Sequence, residues 1–185
     1  MTQPIKHKEI NGLSLFENFI SEEEEFLLIE NIDTKPELWL SDLKRRVQHF
    51  GYKYDYTKKL SSKENSLGPL PVWLQDFSQK LVSQKLIKQP EQVIVNEYLT
   101  GQGIGLHVDR ITSFGPVVIS LSLLTDCNMK FVNQTSFPKK EELVLLPRRS
   151  LVVLEKDARY VWAHGIPPLK SERRVSITFR TMNKD

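Results

Sequence analysis

The chain has 185 residues, of which 39% are hydrophobic and 26% are charged, and its formal net charge is +3. This composition is ordinary for a globular protein with one sizeable core, and no apolar run approaches the roughly 20 residues of a membrane span. The N-terminus lacks the apolar core of a secretory signal. A single cysteine, Cys127, excludes an internal disulfide and a cysteine-based zinc site. We expect a cytoplasmic protein, or a nuclear one in a eukaryotic cell, that is monomeric and needs no membrane.

The first half of the chain predicts helices and a pair of strands. Residues 21–32 (SEEEEFLLIENI) have a serine cap, a first turn rich in glutamate and an apolar continuation, which predicts the start of a helix. Residues 46–56 (RVQHFGYKYDY) predict strands around Gly51, and residues 63–71 predict a loop. Residues 72–87 have apolar side chains at helical spacing and predict an amphipathic helix.

The segment from Lys44 to Lys63 is both basic and aromatic. Its basic residues are Lys44, Arg45, Arg46, Lys53, Lys58, Lys59 and Lys63, against one acid, Asp55. Its interleaved aromatic residues are Phe50, Tyr52, Tyr54 and Tyr56. Basic side chains neutralise phosphates and aromatic rings stack on bases. Two interpretations stay open: a nucleic-acid-binding surface, or a solvated strand pair whose rings face the core.

After Pro90 the pattern changes to short β-branched or aromatic runs separated by turn residues. These runs lie at 92–99, 116–124, 128–134, 142–147, 150–157, 160–166 and 173–182. Many short strands at close spacing predict a sandwich, barrel or jelly roll. We therefore predict one α+β domain over residues 1–185, with helices and a strand pair in residues 1–90 and a β core in residues 91–185.

The stretch GIGLHVDRITSF, residues 103–114, places His107 and Asp109 two positions apart. Side chains alternate along a strand, so both are expected on one face. An imidazole and a carboxylate on one face suit a non-haem Fe(II) site if a second histidine completes the set. Enough strands separate Asp109 from His164, in YVWAHGIPP, for the chain to return alongside. Taken singly, each histidine favours the alternative, a surface residue or a hydrogen-bonded core residue.

The C-terminal strand, SERRVSITFR, supplies cations on one face. Arg174 and Arg180 are six positions apart and share a face, whereas Arg173 lies on the other. An iron centre with open positions takes a chelator such as a 2-oxo acid, and the planar fork of arginine grips its carboxylate. Asn96 and Tyr98, in VIVNEYLTGQG, also share a face and are neutral donors. The alternative for the arginines is solubilising charge at a strand end, and the alternative for Asn96 and Tyr98 is the polar face of an edge strand.

Together, Asn-x-Tyr, a glycine-rich turn, His-x-Asp, a late histidine and the arginine pair resemble the AlkB family of Fe(II)- and 2-oxoglutarate-dependent dioxygenases. The resemblance covers about residues 92–182 and, more loosely, RRVQHFGYKYDY. It implies a double-stranded β-helix (jelly-roll) core with N-terminal helices and a substrate-lid strand pair. The implied iron ligands, which are also the catalytic residues, are His107, Asp109 and His164. The implied 2-oxoglutarate site consists of Asn96, Tyr98, Arg174 and Arg180.

The resemblance also implies a reaction and a substrate class. Family members couple the decarboxylation of 2-oxoglutarate by O2 to the hydroxylation of a C–H bond. A methyl group on a base nitrogen is then lost as formaldehyde, whereas a stably attached carbon keeps the hydroxyl. Since family members mostly act on nucleic acid, the expected partner is single-stranded DNA or RNA, including tRNA. The residues implied to contact it are Arg46, Tyr52, Tyr54, Tyr56, Lys58, Arg110 and Ile111.

One position departs from the bacterial repair prototype of the family, which has an acidic residue two positions after the metal aspartate. Here that position is Ile111, which cannot accept a hydrogen bond from the amine of methylated adenine or cytosine. Residues 101–123 are more similar to the branch whose animal homologue acts on modified tRNA uridines, although this chain has no room for the extra domains of that homologue. Two alternatives stay open: a protein hydroxylase or demethylase of the same family, and a non-catalytic module.

Overall fold

The structure, a computed structural model, describes residues 3–41, 43–56 and 65–183. Within these residues, eleven strands form two antiparallel sheets, with three α-helices and one short 3-10 helix. The strands are β1 (Ile5–Lys6), β2 (Leu13–Phe16), β3 (Arg46–Phe50), β4 (Gln92–Leu99), β5 (Ile104–His107), β6 (Phe114–Leu123), β7 (Cys127–Asn133), β8 (Glu141–Leu146), β9 (Leu151–Leu154), β10 (Trp162–Ile166) and β11 (Arg173–Met182). The α-helices are α1 (Glu22–Asp33), α2 (Val72–Ser83) and α3 (Lys156–Tyr160), and the 3-10 helix is Pro36–Leu38.

Two sheets of unequal size form the body of the fold. The larger has seven strands in the order β1-β2-β9-β6-β11-β4-β3, and the smaller has four in the order β5-β10-β7-β8. An apolar cluster made of residues from both sheets fills part of the space between them. Antiparallel pairing of strands that are distant in sequence, in two facing sheets, is the arrangement of a jelly roll. The predicted α+β class with a double-stranded β-helix core is therefore confirmed.

Strand β11 shows how the sequence separates the two faces of the larger sheet. Val175, Ile177 and Phe179 belong to an apolar cluster that includes residues of α1 and α2, so the helices cover this face. Arg174 and Arg180 lie on the opposite face, which lines a cavity between the sheets. Because successive side chains alternate along a strand, one run of residues supplies both an apolar core and a polar wall.

Both predicted helices of the first half are present. Helix α1 begins with a capping box, in which Ser21 Oγ accepts from the Glu24 amide at 3.1 Å and Glu24 Oε2 accepts from the Ser21 amide at 2.9 Å. Helix α2 ends at Ser83, earlier than the apolar spacing predicted. Lys85 adopts a left-handed conformation with φ of +59°, which ends the helical path.

The predicted strand pair around Gly51 forms only in part. Strand β3 pairs with β4 at the edge of the larger sheet, whereas the described residues that follow contribute one isolated bridge, Tyr52 to Ser66. Gly51 accounts for the difference, because its φ is +76° and a Cβ there would collide with the carbonyl oxygen of Glu91. The chain leaves the sheet at this glycine.

Two further differences concern short elements. The run 150–157 was predicted to be a strand, but β9 ends at Leu154 and α3 begins at Lys156, whose φ of +50° redirects the chain. Strands β1 and β2 were not predicted, since two and four residues are too few to show a period of two. They extend the larger sheet beside β9.

Candidate active site

A cavity of about 480 Å³ opens between the two sheets. Strands β4, β6 and β11 of the larger sheet and β5, β7 and β10 of the smaller sheet contribute side chains to its wall. The wall includes these polar residues that the sequence singled out: Asn96, Tyr98, His107, Asp109, His164, Arg174 and Arg180. The fold therefore brings together residues that are up to 84 positions apart in the sequence, from Asn96 to Arg180.

His107, Asp109 and His164 form a cluster in this cavity. His107 on β5 is the register partner of His164 on β10, and their ring centroids are 4.6 Å apart. Nε2 of His164 lies 3.4 Å from Oδ2 of Asp109, and the three candidate ligand atoms all lie within 4.8 Å of one another. In the described part of the chain, no other group of three or more histidine, cysteine or acidic side chains has this arrangement.

The side chain of Asp109 does not reach the cluster through the alternation of residues along a strand, which was the prediction from the sequence. Strand β5 ends at His107, and Asp109 lies in the loop that leads to β6. Tertiary contacts hold its carboxylate instead: Oδ1 accepts from Nε of Arg180 at 2.8 Å and from Nη2 at 2.7 Å. Nη1 of Arg180 also donates to Oε1 of Gln92 at 3.1 Å, so all three nitrogens of the guanidinium have a partner.

The protonation states of His107 and Asp109 suit a divalent cation. Nδ1 of His107 lies 2.9 Å from the Gly105 carbonyl oxygen, which can only accept, so Nδ1 carries the proton and Nε2 keeps its lone pair. Burial, and then the neighbouring His164, lowers the pKa of His107. Burial alone would raise the pKa of Asp109, but the charge of Arg180 and the nearby imidazoles hold it well below its usual range. Neutral imidazoles and an ionised carboxylate are the forms that bind metal.

The cluster also fits a ferrous ion by its unused donors. Oδ2 of Asp109 is buried without a hydrogen-bond partner among the described residues, and it faces Nε2 of His164 at 3.4 Å. Leaving a buried carboxylate oxygen unpaired is costly, and a bound cation removes that cost. Two imidazoles and one carboxylate are the donor set of the non-haem Fe(II) facial triad.

Arg174 is a buried cation that pairs with no carboxylate of the described residues. It is 1% exposed, and the only oxygen that it bonds among the described residues is Ser122 Oγ, at 2.9 Å from Nη2. Its Nε is buried without a partner, and its guanidinium lies 5.2 Å from the centroid of the Tyr98 ring. A buried guanidinium with unused donors is a receptor for a carboxylate.

Arg45 is a cavity residue to which the sequence assigned no role in the site. Its Nε donates to Oδ1 of Asn96 at 3.0 Å, and its guanidinium lies 6.0 Å from the Tyr98 ring centroid. Two guanidiniums thus approach the Tyr98 ring, since that of Arg174 lies 5.2 Å from its centroid. The basic run that includes Arg45 was visible in the sequence, but the run alone did not show which member enters the cavity.

Its neighbour Arg46, which the sequence assigned to the substrate, lies outside the cavity. Arg46 is the register partner of Glu97 and makes two hydrogen bonds to its carboxylate, at 2.6 and 2.9 Å. Its guanidinium also lies 4.7 Å from the ring of Trp39. Glu97 accepts a further bond from Arg173, which confirms that Arg173 faces away from Arg174. Arg46 therefore belongs to an ion-pair network on the far face of β4.

The other predicted substrate residues divide into three groups. Tyr54, Tyr56 and Arg110 line the cavity, and the rings of Tyr54 and Tyr56 are 5.0 Å apart. The structure does not bring Tyr52 or Ile111 to the cavity wall. Tyr52 lies at the isolated bridge to Ser66, and Ile111 is 51% exposed on the loop after Asp109. Lys58, with Lys59 and Lys63, lies outside the described residues.

Comparisons with known proteins agree with this geometry. Residues 12–180 match the model of the 2OG-Fe(II) oxygenase superfamily. Uncharacterized protein L905 of Acanthamoeba polyphaga mimivirus is 32% identical over 96% of this chain and 88% of its own. The mouse protein named tRNA (carboxymethyluridine(34)-5-O)-methyltransferase ALKBH8 is 39% identical over 86% of this chain and 24% of its own. This chain thus spans about a quarter of the ALKBH8 relatives from mouse, macaque and frog.

A solved structure, that of OsALKBH1, shares the fold. It matches with a TM-score of 0.74 at 16% identity, over 96% of this chain and 100% of its own. The longest described helices have 12 residues, and none of those described has the length and hydropathy of a membrane span. The chain belongs to the 2OG-Fe(II) oxygenase superfamily, among its AlkB proteins, and is a dioxygenase that uses Fe(II), 2-oxoglutarate and O2.

Proposed function

We propose that this dioxygenase oxidises an alkylated or otherwise modified base in nucleic acid. The observation that carries the proposal is the composition of the cavity wall beside the triad. Two tyrosine rings, Tyr54 and Tyr56, and two guanidiniums, Arg45 and Arg110, line the cavity that holds His107, Asp109 and His164. Aromatic faces stack on bases, and guanidiniums bind phosphate and carbonyl oxygens. The volume of this cavity lies in the usual range for small-molecule and cofactor sites.

In this proposal, the triad holds the iron. When bound, Fe(II) and 2-oxoglutarate supply the oxidation of a C–H bond by O2, with conversion of 2-oxoglutarate to succinate and CO2. His107 presents Nε2, because its Nδ1 proton is engaged by the Gly105 carbonyl. Asp109 presents Oδ2, which has no hydrogen-bond partner among the described residues, while Arg180 holds Oδ1. His107 and Asp109 therefore need no proton transfer before they bind the metal.

Arg174 receives the distal carboxylate of 2-oxoglutarate. The support for this role is its burial, its unpartnered Nε and the lack of a carboxylate bonded to it among the described residues. The Tyr98 hydroxyl and the Asn96 amide are neutral donors on the same wall. Arg180 acts at the metal end of the cosubstrate, through its contact with Asp109.

A uridine-type base of tRNA is the substrate that we favour. The mouse relative is named for a carboxymethyluridine at position 34 of tRNA, although this chain matches only a quarter of that protein. Ile111, two positions after Asp109, offers no acidic acceptor for the amine of adenine or cytosine, and its carbonyl already accepts from Asn183 at 2.7 Å. Uracil has no such amine, so the lack of an acid at this position costs nothing.

Mass spectrometry of nucleosides tests the proposal. The purified chain is incubated with Fe(II), 2-oxoglutarate and ascorbate, and with bulk tRNA or single-stranded oligonucleotides carrying 1-methyladenine or 3-methylcytosine. Omission of 2-oxoglutarate and the variant Asp109→Asn, which keeps the shape of the side chain but removes its charge, are the controls. We expect a tRNA nucleoside to gain one oxygen in the complete reaction alone.

The other outcomes are equally specific. Loss of the methyl groups from the oligonucleotides would make the enzyme a repair-type demethylase and would contradict the preference for uridine. Formation of succinate without any change in a nucleoside would contradict the nucleic-acid proposal and would favour the protein hydroxylase alternative. No succinate under any condition would contradict the assignment of the triad and of Arg174.

A further inference from the structure

Arg159 is a buried residue in the segment ARYVWAHGI, and the reaction outlined above gives it no role. It lies on α3, five positions before His164, and it is 1% exposed. Its guanidinium donates to four backbone carbonyls: Asp109 at 2.7 Å, Phe114 at 3.2 Å, Gly115 at 3.2 Å and Arg110 at 3.4 Å. All four carbonyls belong to the loop that carries Asp109 and to the first residues of β6.

The contacts of Arg159 are unusual because no carboxylate of the described residues accepts a hydrogen bond from it. Its hydrogen-bond partners among these residues are all carbonyl oxygens; the Asp109 carboxylate acts on its charge only through space, and the Tyr160 ring lies 5.0 Å from the guanidinium. Burying a charge in this way is expensive. The planar fork of arginine presents five donors in a fixed geometry, whereas the ammonium of lysine presents three around one point. Only arginine can bond carbonyls spread over this length of loop.

Apart from Arg159, the support of the loop beside Asp109 is a turn, in which the Arg110 carbonyl accepts from the Ser113 and Phe114 amides at 3.3 and 3.0 Å. Strand β5 ends at His107, so ladder hydrogen bonds do not fix the residues that follow. Asn183 holds the far side of the loop, through the carbonyls of Ile111 and Ser113. Arg180 donates to the carboxylate of Asp109, and Arg159 donates to the backbone carbonyl of Asp109. The two arginines therefore fix the aspartate from opposite ends.

We propose that Arg159 is a positioning residue for the metal centre, which ties the backbone of Asp109 to the element that leads into His164. Arg159 holds Asp109 and His164 in fixed relative positions before the metal binds. The inference rests on the proposed role of His107, Asp109 and His164 as the metal ligands. It assigns to Arg159 the preorganisation that the strand geometry does not supply, because Asp109 lies outside the sheet.

Binding of Mn(II) to the metal-free chain tests the inference without relying on turnover. Mn(II) affinity is measured by water-proton relaxation for the wild type, Arg159→Met and Arg159→Lys, with melting temperatures of the metal-free forms recorded alongside. The matched control is Arg148→Met, since Arg148 also spans distant segments, by pairing with Glu25 at 2.6 Å, but lies outside the cavity. We expect both Arg159 variants to raise the Kd of Mn(II) by roughly 10- to 100-fold, as loss of supporting contacts does at other metal sites. Arg148→Met should leave it unchanged.

The outcomes separate this inference from the proposed function. If the wild type does not bind Mn(II), the triad itself is wrong. If the wild type binds and Arg159→Lys binds equally well, while its melting temperature falls, Arg159 serves only the stability of the fold. Hydrogen exchange on the wild type covers the case in which Arg159→Met does not fold. We expect residues 109–115 to be protected before metal is added; exchange at the rate of an open loop, with protection only after Mn(II), would overturn the inference.

Discussion

Replacement of Arg174 by methionine should remove the affinity for 2-oxoglutarate without weakening the metal-free protein. Methionine fills a similar volume but has no charge. Truncating one partner of a buried, hydrogen-bonded charge pair costs about 2–5 kcal/mol, which corresponds to a rise in the Kd of 2-oxoglutarate of roughly 30- to 4,000-fold. In the metal-free chain, Ser122 Oγ is the one oxygen of the described residues that the guanidinium bonds, and Nε is left unpaired, so its removal also removes a desolvation cost. The melting temperature should therefore stay the same or rise.

The matched control is the adjacent residue on the opposite face. Arg173 bonds Asp33 at 2.7 and 2.9 Å and Glu97 at 2.9 Å, outside the cavity. Arg173→Met should lower the melting temperature, because it leaves the buried carboxylate of Glu97 with one partner fewer, and it should keep the affinity for 2-oxoglutarate. Isothermal titration with 2-oxoglutarate in the presence of Mn(II), without O2, measures both variants. An unchanged Kd for Arg174→Met, or the loss appearing in Arg173→Met instead, would refute the assignment of the two faces.

Three further predictions concern the triad, the pH dependence and the substrate. Asp109→Asn should abolish Mn(II) binding in a relaxation titration, because the neutral amide cannot replace the carboxylate; retained binding would exclude Asp109 as a ligand. Burial lowers the pKa of His107, so just below pH 6.5, the ordinary pKa of histidine, only the unfolded chain takes up this proton. The free energy of unfolding of the metal-free chain should therefore keep its full His107 contribution above pH 6.5 and should decrease as the pH falls below 6.5. Thermal melts between pH 5 and pH 7 check this, and an equally steep fall in His107→Gln would assign the dependence to other groups. Tyr54→Ala and Tyr56→Ala should each weaken single-stranded RNA binding by about 1–3 kcal/mol, because each removes a ring that stacks on a base. Fluorescence anisotropy measures the affinity, and an unchanged affinity would show that these rings do not contact the RNA.

Some features of this protein follow from short stretches of sequence. The capping box at Ser21 and Glu24 starts α1 as predicted, because both partners lie within one turn. The period of two along β11 separates Arg174 and Arg180 from Arg173, because the alternation of side chains is a property of any extended strand. The fold class followed from the number and spacing of the strand runs, and the resemblance of the ordered motifs pointed to the family.

Other features were decided only when distant segments packed. Arg45 and Arg46 are neighbours in a basic run, yet the register of β3 against β4 pairs Arg46 with Glu97 and leaves Arg45 to reach Asn96. Asp109 shares a face with His107 through contacts with arginines 50 and 71 positions away, and not through strand alternation. Local steric rules act over a few residues, whereas these choices depend on which buried carbonyls and carboxylates find a donor. That pairing exists only in the packed tertiary structure.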